Sequence, residues 1–160
     1  MVFSEPVSDF ATGDVTLGGT AGAVSATVTG SGTTYSVAVS GMTGNGTVIA
    51  SLVAGVAHDA AGNASEASTS TDNTVTYDGT GPTVTINQAV GQADPTNGST
   101  INFDVVFSEP VSDFATGDVT LGGTAGAASA TVTGSGTTYT VAVSGMTGNG
   151  TVIASLVAGV

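Results

Sequence analysis

The stretch TVTGSGTTYTVAVSG, residues 131–145, decides the fold class of this 160-residue chain. Its two arms alternate apolar and polar residues with a period of two, which is typical of β-strands. Between the arms, TGSGTT (133–138) supplies glycines that tolerate positive φ angles, so this segment predicts a hairpin turn. The sequence therefore predicts two paired strands here, over residues 128–133 and 137–145.

Short runs rich in Val, Thr, Ile and Tyr continue this pattern along the chain and end at Gly, Asn, Asp or Pro. They give seven strands, which we letter in the order of an immunoglobulin-like sandwich: A (83–87), B (99–107), C (118–121), D (128–133), E (137–145), F (151–160) and G (72–78). Alternation places four residues of B on one inward face: Ile101, Phe103, Val105 and Phe107. We expect them to meet inward residues of C, E and G in the core: Val119, Leu121, Val141, Val143, Val75 and Tyr77.

The chain contains one passage twice. Residues 2–56 align without a gap with residues 106–160, and 53 of the 55 positions are identical. The period of 104 residues is close to the size of an immunoglobulin-like domain, about 100 residues. We therefore predict an all-β fold of immunoglobulin-like Greek-key β-sandwich repeats arranged end to end, as copies of one unit.

Neither copy contains all seven strands, so both are predicted to be truncated. The predicted domain 1–79 lacks strand A and most of strand B, and the predicted domain 80–160 lacks strand G. We expect the array to be larger than this chain. The open edge strands of both copies favour self-association.

The charge of the chain has a single sign, with 12 acidic residues, no Lys, no Arg and a formal net charge of −12. Such a chain repels nucleic acid and anionic lipid, so neither is an expected partner. No apolar run reaches the length of a membrane span, so direct membrane insertion is not expected. The chain has no Cys, which excludes disulfides and thiolate metal sites. The carboxylates need an external cation, and Ca²⁺ is the candidate because it prefers carboxylate and carbonyl oxygens.

Most of the acidic residues fall in segments that a seven-strand sandwich places at one pole. These segments are the loop SEPVSDFATGD (108–118) and its copy at 4–14, the loop AHDAAGNASEAS (57–68) and the linker YDGTGP (77–82). Their oxygens could converge on a calcium ion at the domain junction, and the candidate ligands are Glu5, Asp59, Asn63, Asp78, Glu109 and Asp113. The alternative is that these are solvated loop acids. No local calcium-binding motif decides between the two interpretations.

Three segments resemble the tandem bacterial immunoglobulin-like repeats of large surface adhesins: SEPV after strand B, AHDAAGNAS before strand G, and the linker DGTGPTV. The resemblance covers essentially the whole chain. It implies sandwich domains strung end to end, often with Ca²⁺ at the junctions, in a protein that extends a binding tip from the bacterial cell surface. Neighbouring repeats are then the partners, and a glycan or another surface ligand would bind through other domains.

Catalysis is not expected from this sequence. His58, the single histidine, lies beside Asp59, but no nucleophile elbow is present to complete a Ser-His-Asp triad. The sequence therefore predicts a non-enzymatic, extracellular spacer repeat rigidified by calcium. Two alternatives remain open: an adhesion module that binds glycan or protein, and a filament-forming subunit that assembles through open β edges.

Overall fold

A computed structural model describes residues 1–157 and Gly159. The protein is all-β, and its antiparallel strands form several sheets in an arrangement consistent with a β-sandwich. The chain divides into two compact units, unit 1 (Met1–Thr80) and unit 2 (from Gly81 onward). Among the described residues, no helix has the length and apolarity needed to cross a bilayer.

Unit 1 contains five strands in two antiparallel sheets, with the orders β1–β3 and β2–β4–β5. The strands are β1 (Val2–Val7), β2 (Thr16–Gly18), β3 (Ser25–Ser40), β4 (Gly46–Ser51) and β5 (Thr74–Tyr77). A 3₁₀ turn, Thr12–Asp14, lies between β1 and β2. Strand β5 corresponds to the predicted strand G.

Unit 2 contains a three-stranded sheet in the order β6–β7–β9 and a two-stranded sheet of β8 and β10. The strands are β6 (Val84–Gln88), β7 (Thr100–Val111), β8 (Val119–Gly122), β9 (Ser129–Ser144) and β10 (Ile153–Leu156). They correspond in order to predicted strands A, B, C, D with E, and F. The end of predicted strand F includes Ala158 and Val160, which lie outside the described residues.

The predicted hairpin is present within β9, which doubles back on itself. The N–H of Ala128 donates to the carbonyl of Ser144 at 3.1 Å, and a methyl group on Gly134 would lie 2.5 Å from the carbonyl oxygen of Thr138. Gly134 has a φ angle of +127°, which glycine adopts without steric cost. Predicted strands D and E are therefore the two arms of β9, and β3 in unit 1 repeats this geometry.

Strand β7 extends beyond the predicted end of strand B. SEPV (108–111) was assigned to a loop from the sequence, but it continues the strand, as its copy does in β1. Pairing with β9 is irregular between Val106 and Val111 and resumes where Val111 faces Gly136. Pro110 has no N–H to donate, and an irregular stretch of a ladder accommodates such a residue. The prediction of a loop at SEPV was wrong because a proline, which cannot donate to a regular ladder, indicates a strand end when only the local sequence is considered.

The core of unit 2 is centred on β7 and β9, as the alternation predicts. Val105, Val141 and Val143 are completely buried, with 0% exposure, and Phe107 retains only 3%. These values confirm the predicted inward faces of strands B and E. Partly buried residues from the other strands pack against this cluster, including Ile86, Phe103, Val119 and Leu121.

Unit 1 buries a smaller cluster, formed by Val7, Phe10, Tyr35, Leu52 and Ala57. Val37 and Val39, the counterparts of the fully buried Val141 and Val143, are only partly buried. The prediction that Val75 lies in the core was wrong, because its side chain is 66% exposed. Val75 lies on β5, the edge strand of its sheet. Val37 and Val39 are less buried than their counterparts because unit 1 has no equivalent of β6 and the first half of β7, which pack beside Val141 and Val143 in unit 2.

Candidate functional site

The loops that follow β1 and β4 meet through Asp9 and His58. One carboxylate oxygen of Asp9 accepts a hydrogen bond from the backbone N–H of His58 at 2.7 Å, and the other lies 2.7 Å from Nδ1 of the His58 ring. The backbone hydrogen bond, followed by the one from the ring, lowers the pKa of Asp9. This contact joins the two loops that the sequence places at one pole, so the single histidine serves as a link between loops.

Asp59 and Asn63 lie together because they close the DAAGN turn. One carboxylate oxygen of Asp59 accepts from the N–H groups of Ala61 at 2.9 Å and Asn63 at 2.7 Å, and the other accepts from the Asn63 side-chain amide at 2.7 Å. The side-chain amide of Asn63, followed by its N–H, lowers the pKa of Asp59. Gly62 completes the turn with a φ angle of +87°. Two predicted metal ligands therefore already bond to each other.

Two further acids of the predicted pole cap 3₁₀ turns, Thr12–Asp14 in unit 1 and Thr116–Asp118 in unit 2. Asp14 accepts a hydrogen bond from the N–H of Ala11, and Asp118 accepts one from the N–H of Ala115, each at 2.7 Å. Sequence reasoning treated these acids only as charges in a loop. Their position in the sequence indicates this role. A carboxylate at the third residue of a helical turn can accept a hydrogen bond from the N–H of the residue that precedes the turn.

Aromatic rings support the loop that follows β1 in unit 1 and its counterpart after β7 in unit 2. In unit 2, Phe107, Phe114 and Tyr139 form three edge-to-face pairs with centroids 5.1–5.9 Å apart. The hydroxyl of Tyr139 donates to the carbonyl of Val111 at 2.9 Å. Unit 1 repeats the cluster with Phe3, Phe10 and Tyr35. The rings fix where the loop leaves the sheet and so position the acids that follow.

Asn45 holds the start of the linker against unit 1. Its side-chain amide donates to the carboxylate of Asp78, and its oxygen accepts from the N–H of Gly79 at 2.9 Å and the hydroxyl of Thr80 at 3.2 Å. Asp78 also accepts from the N–H of Thr80 at 3.1 Å. Sequence reasoning missed this role of Asn45, because nothing local in the loop MTGNGT points to a segment 33 residues away.

The other three predicted ligands lie apart from these bonded groups. Glu5 is exposed on β1, Glu109 is partly buried on β7, and Asp113 is exposed in the loop after β7. Within the part of the chain that the structure describes, no three His, Asp or Glu side chains gather into a group that could hold a metal. Ca²⁺ takes six to eight oxygens. Among the described residues, the six predicted ligands are therefore not gathered into one group.

The described residues line a groove in each unit. In unit 2 it has a volume of about 870 Å³ and is bordered by the loop between β6 and β7 and by the loop between β9 and β10. In unit 1 it has a volume of about 340 Å³ and lies between β3 and the pair β4 and β5. Both grooves expose apolar residues of the sandwich interior.

Comparisons of the chain with protein-family models, with curated proteins and with solved structures gave no match. The functional proposal therefore rests on the residues and geometry of the chain itself.

Proposed function

We propose that this chain is a non-enzymatic structural spacer, made of tandem immunoglobulin-like Greek-key repeats of a secreted or cell-surface bacterial adhesin or matrix protein. The observation that carries the proposal is that the loops of the two copies form matching hydrogen bonds. Loops that recognise different ligands need different side chains, whereas loops that only set a shape repeat unchanged.

The matching bonds occur in several parts of the repeat. The tyrosine hydroxyl reaches the loop carbonyl at 3.0 Å in unit 1 and 2.9 Å in unit 2. A threonine hydroxyl accepts a loop N–H at 3.2 Å in unit 1 and 3.3 Å in unit 2. The strand orders β6–β7–β9 and β2–β4–β5 correspond to A–B–E and C–F–G, the neighbours expected in an immunoglobulin-like sandwich. These features support multiplied copies of one structural unit.

The proposal includes calcium bound between neighbouring repeats. It is supported by the charge balance, since 12 carboxylates have no Lys or Arg to offset them. Extracellular calcium modules have dissociation constants of about 10⁻⁴–10⁻³ M. A site at hundredfold excess over its Kd adds about 2.7 kcal/mol to the free energy of unfolding.

Thermal unfolding of the full chain with Ca²⁺, and again after chelation, tests the calcium part. We expect a higher Tm with Ca²⁺ and a return to the original value with chelator. The rise should shrink in Asp78→Asn but not in the control Asp72→Asn, an exposed acid outside the predicted ligand set. An unchanged melting curve would contradict calcium binding but would not contradict the spacer function.

A second candidate function is ligand binding, and the groove of unit 2 favours it. Its volume of about 870 Å³ lies within the usual range of ligand sites, about 300–1,000 Å³. A glycan array and a pulldown from cell-surface extracts, both with the full chain, separate the two candidates. The spacer predicts no saturable binding. Saturable binding of one glycan class would favour the adhesion module, provided that a substitution in the loop 145–152 weakens this binding.

A further inference from the structure

The segment that connects the two units is short. Strand β5 ends at Tyr77 and strand β6 begins at Val84, so residues 78–83 form the connection. Each end of this segment forms hydrogen bonds with the unit that it adjoins. These bonds limit the length of chain that is free to move between the units.

Asn45 anchors the first end of the connection to unit 1. Its side-chain oxygen accepts hydrogen bonds from the N–H of Gly79 at 2.9 Å and the hydroxyl of Thr80 at 3.2 Å. Its amide group donates to the carboxylate of Asp78, which also accepts from the N–H of Thr80. Tyr77 lies against the same stretch, because a methyl group on Gly79 would be 2.7 Å from the Tyr77 hydroxyl. One side chain therefore binds three consecutive residues of the connection.

Thr83 anchors the second end to unit 2. Its N–H donates to the hydroxyl of Ser108 at 2.9 Å, and its carbonyl accepts from the N–H of Ser108 at 2.9 Å. These two bonds continue the β6–β7 pairing one step beyond the pair Val84 and Phe107. Thr83 is therefore held by the sheet of unit 2.

Gly81 and Pro82 lie between the two anchored stretches. Both residues are exposed, and a methyl group on Gly81 would meet no other atom within 4 Å. The ring of Pro82 fixes its φ angle, whereas Gly81 has a wide choice of backbone angles. Without the bonds of Asn45, the free stretch would extend back to Asp78 and grow from two residues, 81–82, to five, 78–82.

We propose that Asn45 and Asp78 form a clasp that confines movement of the connection to a hinge at Gly81 and Pro82. The clasp depends on the match between an amide donor and a carboxylate acceptor, and it uses no metal. This inference goes beyond the spacer function, because it assigns to one residue pair the length of chain that can move between the units.

Backbone nitrogen relaxation, measured by NMR on the full chain with a calcium chelator present, tests the clasp. We expect order parameters of about 0.85 at Gly79, Thr80 and Thr83, as in rigid backbone, and below about 0.6 at Gly81. Asn45→Asp keeps the size of the side chain but places a second carboxylate against Asp78, and like charges repel. The order parameters of Gly79 and Thr80 should then fall below about 0.6. Amide exchange of Gly79 should become roughly fivefold faster.

Exchanging the two partners provides the rescue experiment. The double variant Asn45→Asp/Asp78→Asn keeps the net charge of the chain and restores an amide opposite a carboxylate. A carboxylate at position 45 can also accept from the N–H of Gly79 and the hydroxyl of Thr80. The order parameters at residues 79–80 should therefore return to those of the unsubstituted chain. The control Asn149→Asp adds the same charge to the matching loop of unit 2 and should leave residues 79–80 unchanged.

Four results would overturn the proposal: residues 79–80 as mobile as Gly81 in the unsubstituted chain, Gly81 as rigid as the strands, no effect of Asn45→Asp, or no rescue by the double variant. If Asn45→Asp alone unfolds unit 1, amide exchange across residues 74–77 will reveal it. The unsubstituted chain and the double variant then decide. The calcium and glycan tests do not depend on these results, so the spacer function is judged separately.

Discussion

Matched substitutions at Val143 and Val39 should differ in cost, although the two residues sit in the same local sequence. Val143 is 0% exposed on β9, where it lies opposite Ile101 of β7 in the same sheet, while Val39 lines an open groove. Each change to Ala removes two methyl groups, worth about 0.8 kcal/mol each when fully buried. With the cavity left behind, Val143→Ala should cost about 2–3 kcal/mol of unfolding free energy. Val39→Ala should cost about 1 kcal/mol or less, because water already reaches that region.

Amide hydrogen exchange in increasing urea measures the unfolding free energy of each unit separately. The segment 100–105 reports on unit 2 and the segment 74–77 on unit 1, and each sequence occurs once in the chain. The control is Val24→Ala, because Ala stands at the matching position 128 and Val24 is 77% exposed. It should change stability by no more than about 0.5 kcal/mol. Equal losses from Val143→Ala and Val39→Ala would refute the assignment of different cores to the two units.

Three further predictions concern hydrogen bonds. Tyr139→Phe leaves a loop carbonyl without its donor and should lower the urea midpoint of unit 2 by an amount equivalent to about 0.5–1.5 kcal/mol; an unchanged midpoint would contradict the bond. Asn45→Ala should speed amide exchange at linker residues 79–80, whereas the counterpart Asn149→Ala should leave it unchanged. The lowered pKa values of Asp9 and Asp59 contribute stability above about pH 4 that is lost as the pH falls through the folded-state values. Asp59→Asn should therefore flatten the decline of the urea midpoint between pH 5 and pH 2, and an equally steep decline would contradict this contribution.

The parts of the fold that the sequence predicted depend on local signals. Alternation with period two identified the inward faces that carry Val105, Val141 and Val143, and paired glycines identified the turn at Gly134. The extent of β7 was missed because Pro110 is read locally as a strand end, while its place in the sheet depends on an irregularity in the ladder. The exposure of Val75 was missed because alternation along a strand assigns the inward face but does not show which other residues cover it.

The candidate site was harder to predict because its bonds join distant parts of the chain. Asp9 and His58 are 49 residues apart, and Asn45 and Asp78 are 33 residues apart. Charge density drew attention to the acids, but it does not show which amide or N–H each carboxylate accepts from. The turn closed by Asp59 and Asn63 was the most local of these contacts, with a separation of four residues, and it is where the predicted ligands do come together.

The central claim is that the two copies are one structural unit with a common loop framework and different edge coverage. Assigned amide chemical shifts of the full chain test it most directly. The account predicts closely matching shifts for Ala11 and Ala115, for Tyr35 and Tyr139, and for Val28 and Val132, whose N–H groups each donate to a threonine hydroxyl of the 3₁₀ turn at 3.1 Å. It also predicts clearly different shifts for residues 37–39 and 141–143. Different shifts across the loop framework, or matching shifts along both edges, would contradict the account.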